Sequence, residues 1–297
     1  MSKVYVKFPK SGLGNLMLVW AKAKLFAELN GLSFTAAPWW GFRLGAWKRN
    51  ERKKRLYIGY FKENSFAERL LINLYALTAT IIKDPEVKKL EKEEKNANRL
   101  FVFNKISTSD DIFFDIRQHR DFIRDEIYKI LTPALLQQLH RYPTPAIAIH
   151  IRRGDFKIAN PVTPLSFFID CITAVRSVVG EDLPVTIFTD AHPDEVKEVL
   201  LLPHTKIAED KPDILDILLM SKSKVMVLSK SSTFSYWGAF LSDAIVLRPF
   251  DDWQKQIRGE GLNKTGDEIL WKEKDPECVQ QLSRSILSLQ STLQKNN

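Results

Sequence analysis

Cysteine is scarce in this chain: 297 residues contain two, Cys171 and Cys278, far apart and without metal-ligand spacing around either. That excludes a disulfide framework and a cysteine-built zinc site, and a reducing compartment is the simplest setting. Long hydrophobic runs are missing too. The longest, Leu70 to Ile82, has about thirteen residues against the roughly twenty that a spanning helix needs. Met1 to Lys10 holds no apolar core of signal-peptide length, so neither secretion nor a membrane span is expected and the protein reads as cytoplasmic. Two glycine-rich nucleotide signatures are also lacking. No G-x-x-x-x-G-K-[ST] segment occurs, which argues against a P-loop NTPase. Gly12-Leu13-Gly14-Asn15-Leu16-Met17 has Met17 where a dinucleotide fingerprint wants its third glycine, and no acidic residue follows about twenty positions on, so no nicotinamide or flavin cofactor is expected. No D-x-D triplet, the usual carboxylate clamp for a metal, appears anywhere, and the chain has neither internal repeats nor low-complexity blocks.

What is present suits one large or two medium globular domains, with 44% hydrophobic residues to fill their cores. The net charge of +8, from 44 Lys+Arg, fits a polyanionic substrate, an acidic membrane surface or nucleic acid and does not choose among them. Strand and helix alternate. Val4 to Phe8 reads as a strand, Pro9 to Asn15 as a loop, and Leu16 to Asn30 as an amphipathic helix stopped at Gly31. Trp39 to Arg55 mixes aromatic and basic residues without a period and is taken as an irregular insertion. Leu56 to Tyr60 reads as strand, Phe66 to Ile82 as a long apolar helix, Lys88 to Lys95 as a solvated charged helix face, and Asp121 to His140 as helix despite Pro133. The proline-dense Arg141-Tyr142-Pro143-Thr144-Pro145 reads as a linker, which puts the domains at 1–142 and 143–297. In the second half, strands at Ala146–Ile151, Val185–Thr189, Val225–Leu228 and Ala244–Leu247 alternate with helices at Leu165–Val179, Pro193–Leu202, Asp213–Ser221 and Phe234–Leu241. Right-handed crossovers would make this a doubly wound parallel sheet.

Such a sheet gathers scattered residues at one edge. His150-Ile151-Arg152-Arg153-Gly154-Asp155 closes the first of these strands, and two adjacent guanidinium groups beyond a strand's carboxyl end suit a dianionic or polyanionic ligand. A strand-end salt bridge between Arg153 and Asp155 is the plainer alternative. Asp190 follows the second strand. A carboxylate there can accept from a purine base or from ribose hydroxyls, or simply cap the helix that begins near Pro193. Ser229-Lys230-Ser231-Ser232-Thr233-Phe234-Ser235 follows the third and runs into a helix, so its hydroxyls and free amides would face an anion, unless the cluster is an ordinary N-cap. In the first half, Gly12 and Gly14 allow close backbone approach to a phosphate or sugar, with Asn15 offering a donor and an acceptor.

These blocks together resemble the α-1,2-fucosyltransferases. Gly12-Leu13-Gly14-Asn15, His150 to Asp155 and Ser232 to Leu241 look like the three hallmark blocks of that family in order and spacing, and Leu56 to Phe61 and Asp216 to Ser221 are similar to segments lying between them. The resemblance covers Val4 to Pro249 in blocks, and the H-x-R-R-G-D block is the most specific. It implies an α/β, GT-B-like pair of Rossmann-type domains facing a central cleft, with the first on the acceptor side and the second binding the GDP-sugar. It further implies GDP-fucose as donor, a galactose-type hydroxyl of a glycan as acceptor, and inversion at the fucose anomeric carbon with no metal.

Position by position, the resemblance makes Arg152 the diphosphate holder, with Arg153 beside it. His150 and Asp190 face the guanine, and Gly12 and Gly14 let the first loop close over the phosphates. Ser232, Thr233, Phe234 and Ser235 complete the donor cradle. Asn15 sits near the reacting centre, and Asp155 or a carboxylate of the first half is the candidate base. One departure concerns the acceptor side: Leu16 stands where the family usually has glutamine. Two other readings remain, a same-fold enzyme for another GDP-sugar, and a nucleic-acid-binding basic protein using Trp39 to Arg55. That same stretch, with Trp39, Trp40 and the Lys48 to Arg55 cluster, is also the candidate for peripheral membrane contact.

Overall fold

A computed structural model describes residues 1–41, 56–106, 110–153, 162–259 and 267–295. The chain divides into two compact units, Met1–Gln137 and Gln138–Asn297. Charge is partitioned between them. Lys and Arg outnumber Asp and Glu by 25 to 15 in the first, whereas 19 stand against 21 in the second.

The first unit is built on four parallel strands, β1 (Lys3–Val6), β2 (Ser33–Ala36), β3 (Thr80–Lys83) and β4 (Arg99–Phe103), in the order β2-β1-β4-β3. Val4 and Val6 are fully buried, and the strand ends two residues earlier than Phe8. The helix after the glycine loop starts three residues earlier than expected and spans Leu13–Asn30. It is not amphipathic. Apolar residues are buried on every side of it, and its two mid-helix charges, Lys22 and Lys24, pair with Asp115 at 2.7 Å and Glu126 at 3.0 Å. Gly31 ends it in the left-handed conformation (φ 62), its amide and that of Leu32 returning to the carbonyls of Glu28 and Ala27.

Four further expectations change in this unit. Leu56–Tyr60 is a turn, with Tyr57 at φ 54 and Gly59 at φ 73, and pairing begins only at Phe61, which bridges to Leu131. The apolar run from Phe66 is a helix only to Ala76, and its tail returns as the edge strand β3. Its capping box, Ser65 with Glu68, is complete, yet Phe66, Leu70, Leu71, Leu74 and Leu77 are exposed and Ile72 is the helix's one buried residue. Trp39 is a core residue, 3% exposed, with its ring 4.3 Å from Phe8 and 4.1 Å from Phe61, so it does not serve as a surface contact. Trp40 is exposed and bonds Glu63. The Lys48 to Arg55 cluster lies outside the described residues. Asp121 to His140 is two helices, Arg120–Ile130 and Pro133–Leu139, because Pro133 opens the second rather than interrupting one.

The second unit carries a six-stranded, all-parallel sheet: β5 (Ile147–Ile151), β6 (Val185–Thr189), β7 (Thr205–Ile207), β8 (Val225–Val227), β9 (Ile245–Pro249) and β10 (Glu268–Trp271), ordered β10-β9-β8-β5-β6-β7. Counted within the unit, that is the 3-2-1-4-5-6 order of a Rossmann sheet. β5 and β8 are buried at every residue because both faces are covered. Helices Leu165–Val179 and Asp213–Ser221 keep the bounds read from the sequence, and Thr233–Leu241 starts one residue earlier. The last packs closely on Asp213–Ser221 and β8 at Gly238, where a Cβ would stand 2.9 Å from Met226 Cε and 3.2 Å from Met220 Cβ. The helix expected at Pro193–Leu202 is a 3₁₀ turn, Pro193–Val196, followed by Lys197–Leu200.

Among the described residues no atom lies within 4 Å of a Cβ built on Gly31, so replacing it tests backbone conformation. Gly31→Ala is expected to lower the unfolding free energy by about 1–2 kcal/mol, read from the urea midpoint.

Candidate functional site

β5 and β8 are neighbours whose following connections leave in opposite directions, toward β6 and toward β9, and this is the point of a doubly wound sheet outside which ligands bind. Arg152 and Arg153 lie just beyond β5, and Ser229 just beyond β8. The Ser229 hydroxyl joins the two strand ends, donating to the His150 carbonyl at 2.8 Å and accepting the Arg152 amide at 2.9 Å. From the other side, Thr189 at the end of β6 donates to the Ile151 carbonyl at 2.6 Å. Asp190 accepts the Arg153 amide at 2.8 Å and Arg152 Nη1 at 2.6 Å. The carboxylate expected to face a purine thus has two partners within the chain and orients the first arginine. Arg153 is buried and donates through Nη1 to the Arg152 carbonyl; burial lowers its pKa while Asp190 opposes the shift. Gly154 and Asp155, and with them the Arg153–Asp155 alternative, lie outside the described residues.

Helix Thr233–Leu241 begins at the same edge. Its N-cap Ser232 makes no side-chain cap bond, so the first-turn amides keep their donors and the positive end of the helix dipole. Thr233 and Phe234 are half-buried. Ser235 departs from expectation: its hydroxyl is fully buried and donates to the Ser232 carbonyl at 3.2 Å, so it does not line the edge. Lys230 is also committed within the chain, its amide to Thr163 at 2.9 Å and its ammonium to Asp251. His150 lies beneath Phe234, ring centroids 5.3 Å apart. Burial, aided by the nearby Arg152 charge, pushes its pKa down to about 3, so the imidazole is neutral at working pH. Its Nδ1 is buried without a hydrogen-bond partner among the described residues.

Gly12, Gly14 and Asn15 belong to the first unit, where the loop beyond β1 ends at Gly12 and Gly14 and Asn15 already lie in the first helical turn. Gly12 is the N-cap of helix Leu13–Asn30 with φ −73 and ψ 163, a conformation any residue adopts, so a left-handed turn is not the reason for glycine there. Asn15 Nδ2 donates to the Ser11 hydroxyl at 2.8 Å. The structure therefore gathers His150, Arg152, Arg153, Asp190, Ser232, Thr233 and Phe234 at one edge of the second unit and keeps Gly12, Gly14 and Asn15 together in the first.

Sequence reasoning missed Thr163 and the Tyr236–Asp252 pair, and it read Ser229 as part of an anion-facing hydroxyl cluster where the structure makes it a tie between two strand ends. Each works through a backbone amide, and the available signal was position: Ser229 and Asp252 both fall within a few residues of a strand's carboxyl end, as Arg152 does.

A Rossmann-ordered sheet with an arginine pair just beyond its switch point defines an α/β protein whose candidate ligand edge carries fixed positive charge. The sequence model of Glycosyl transferase family 11 matches residues 81–260, and the chain belongs to that family of glycosyltransferases. Among solved structures, POFUT1 in complex with GDP-fucose aligns with TM-score 0.51 at 11% identity, over 82% of this chain and 95% of that one. Fucosyltransferase NodZ from Bradyrhizobium aligns with TM-score 0.49 at 12% identity, over 82% and 94%. A mutant of Arabidopsis thaliana FUT1 in complex with GDP aligns with TM-score 0.48 at 13% identity, over 90% and 73%. At such identities the likeness is one of fold, and the POFUT1 alignment supports the α/β, GT-B-like architecture. No curated protein matches the chain in sequence.

The depressed His150 pKa has a signed consequence. An unfolded histidine binds a proton below about pH 6.5, and the folded ring does not until about pH 3. The unfolded state therefore holds more protons between those values, and stability falls as pH drops from about 6.5, by up to about 1.4 kcal/mol per pH unit from this group. Urea midpoints at pH 7 and pH 5 should show that slope in the wild type and a reduced one in His150→Gln.

Proposed function

We propose that the chain transfers L-fucose from GDP-fucose to a galactose-type hydroxyl of a glycan, forming an α-1,2 linkage with inversion and without a metal. The observation that carries the reading is the arginine pair at the β5–β8 switch point beside an uncapped helix start. Breaking the bond from sugar to diphosphate leaves negative charge on GDP. Fixed guanidinium groups and amide donors stabilise that charge as it develops, and pre-positioning them avoids reorganisation during the reaction. Arg152 supplies the fork, held in place by Asp190, and the amides from Ser232 onward supply neutral donors. These cations take the part that a D-x-D-bound metal plays in many glycosyltransferases.

The neutral His150 ring suits the base. It keeps one nitrogen as an acceptor for a purine N–H, and a guanine would supply the partner that its buried Nδ1 lacks. GDP-fucose as the donor draws support from the three resembling blocks and from POFUT1, a fold relative that was solved with it. In the displacement the acceptor oxygen bonds to the anomeric carbon as the carbon–oxygen bond to diphosphate breaks. The hydroxyl proton leaves to a carboxylate, for which Asp155 is the candidate. The resemblance assigns Asn15 to the reacting centre and Gly12 and Gly14 to the phosphates.

Incubation with GDP-fucose and a β-galactoside should release GDP at a rate unaffected by EDTA, and proton NMR of the product should show an α-fucosyl anomeric signal. GDP-mannose turned over in place of GDP-fucose would assign a different donor sugar. Arg152→Ala is expected to reduce kcat by about 10²–10³ with the fold retained, and Arg152→Lys to recover only part of it, since a point charge replaces a bidentate fork. An Arg152→Ala enzyme with wild-type turnover would remove Arg152 from this role.

A further inference from the structure

Beneath the donor edge runs a buried polar chain that the reaction chemistry leaves unused. Ser231, between Lys230 and the N-cap Ser232, has φ 58. That left-handed conformation is strained for a residue with a Cβ and persists only where surroundings hold it. Three contacts do so. The Ser231 amide donates to the Tyr236 hydroxyl at 2.8 Å and, more distantly, to Asp252 Oδ1 at 3.3 Å, and its own hydroxyl accepts from the Trp253 indole. Tyr236 in turn donates to Asp252 Oδ1 at 2.5 Å. Asp252 Oδ2 accepts from Arg248 Nη1 at 3.1 Å, and the same guanidinium donates to the carbonyls of Gln254 at 2.8 Å and Lys255 at 3.1 Å. Behind it Glu268 lies 3.6 Å from Arg248 and accepts Arg258 Nε at 3.2 Å.

The ion pair in this polar chain is interior: the Asp252 side chain is 0% exposed and that of Arg248 4%. Burying an ion pair is a poor route to stability, so its presence here calls for another account. Position supplies one. The loop Ser229–Ser232 is tied at its start, through the Ser229 hydroxyl, to the strand that carries the arginines, and at its end, through Ser231, to Tyr236 and Asp252. Were Ser231 to relax to negative φ, the following peptide would rotate and carry the N-cap with it.

We propose that Tyr236, Asp252 and Arg248 are positioning residues for the GDP-sugar. They hold Ser231 left-handed, and so fix the turn from which the amides of Ser232 and Thr233 meet the diphosphate. None of the three touches substrate. The inference rests on the donor edge proposed above and adds the device that sets its shape.

The test uses Tyr236→Phe, which keeps the ring and removes the hydroxyl. The donor KM and the Kd for GDP should rise about tenfold while kcat changes less than threefold and the melting temperature stays near wild type. Adding Ser231→Gly should restore most of the lost affinity, because glycine adopts the left-handed conformation without steric cost. A purely structural role for Tyr236 would show no such rescue. Wild-type GDP affinity in a folded Tyr236→Phe protein, or a loss that Ser231→Gly leaves untouched, overturns the proposal. If Tyr236→Phe does not fold, Asp252→Asn decides: it keeps Oδ1 as an acceptor and weakens the tie to Arg248, and an unchanged donor KM overturns the proposal. A wild-type protein that binds no GDP removes the donor reading and this inference with it, whereas wild-type binding with an unaltered Tyr236→Phe overturns this inference alone.

Discussion

The side-by-side ending of β5 and β8 is the constraint on which the second unit's site depends. Because the chain leaves these two neighbours in opposite directions, no crossover covers the ground between their carboxyl ends, and both strands deliver their next residues to the same opening. A single hydroxyl, that of Ser229, closes the gap by serving the His150 carbonyl and the Arg152 amide at once. Asp190 then fixes the arginine from the β6 side. The arginine's geometry is thus set by three strands rather than by its own loop, which is how a long, flexible side chain becomes a prearranged charge.

Much of the second unit was legible in the sequence because its strands are continuous apolar runs bounded by turn residues and its helices are long enough to show their period. Val185–Thr189 and Leu165–Val179 keep the bounds so read. The first unit was harder. Leu56–Tyr60 has the aromatic and branched content of a strand, but two left-handed residues turn it, and composition does not report the sign of φ. Strands β2, β4, β7 and β10 went unread, short pieces that earn their conformation from parallel partners brought from far along the chain. At the site, Arg152, His150 and the start of helix Thr233–Leu241 could be read because guanidinium, imidazole and hydroxyl groups at a strand end carry chemistry on their face. Tyr236 could not: inside Thr233–Leu241, among tryptophan, phenylalanine and leucine, a tyrosine reads as core, and only its partners show otherwise. Ser235 misled in the opposite sense, since a hydroxyl in a hydroxyl cluster had a bond waiting within its own helix.

Net charge was a poor guide to the candidate site. The excess of basic residues belongs wholly to Met1–Gln137, while the unit that carries the arginine pair is slightly acidic. On the proposed function, that unit would meet a diphosphate with guanidinium groups and a helix start at close range, and not with a broad positive field. The long-range attraction for polyanions resides in the other half of the chain.

Both sheets are parallel throughout, and this bears on how the polypeptide reaches its native state. No described strand pairs with a neighbour across a tight hairpin. In the first unit β1 must wait for β2, some thirty residues later, and for β4, near residue 100. Loop-closure entropy precedes each of these pairings, so such topologies acquire structure slowly and leave apolar segments uncovered meanwhile. During synthesis, the stripe of Phe66, Leu70 and Leu74, which stays exposed even in the finished fold, emerges before β4 exists to complete the sheet. Recovery of intact protein from a heterologous host will accordingly be governed by competition between translation and self-association, and will favour cool, slow expression and abundant chaperones.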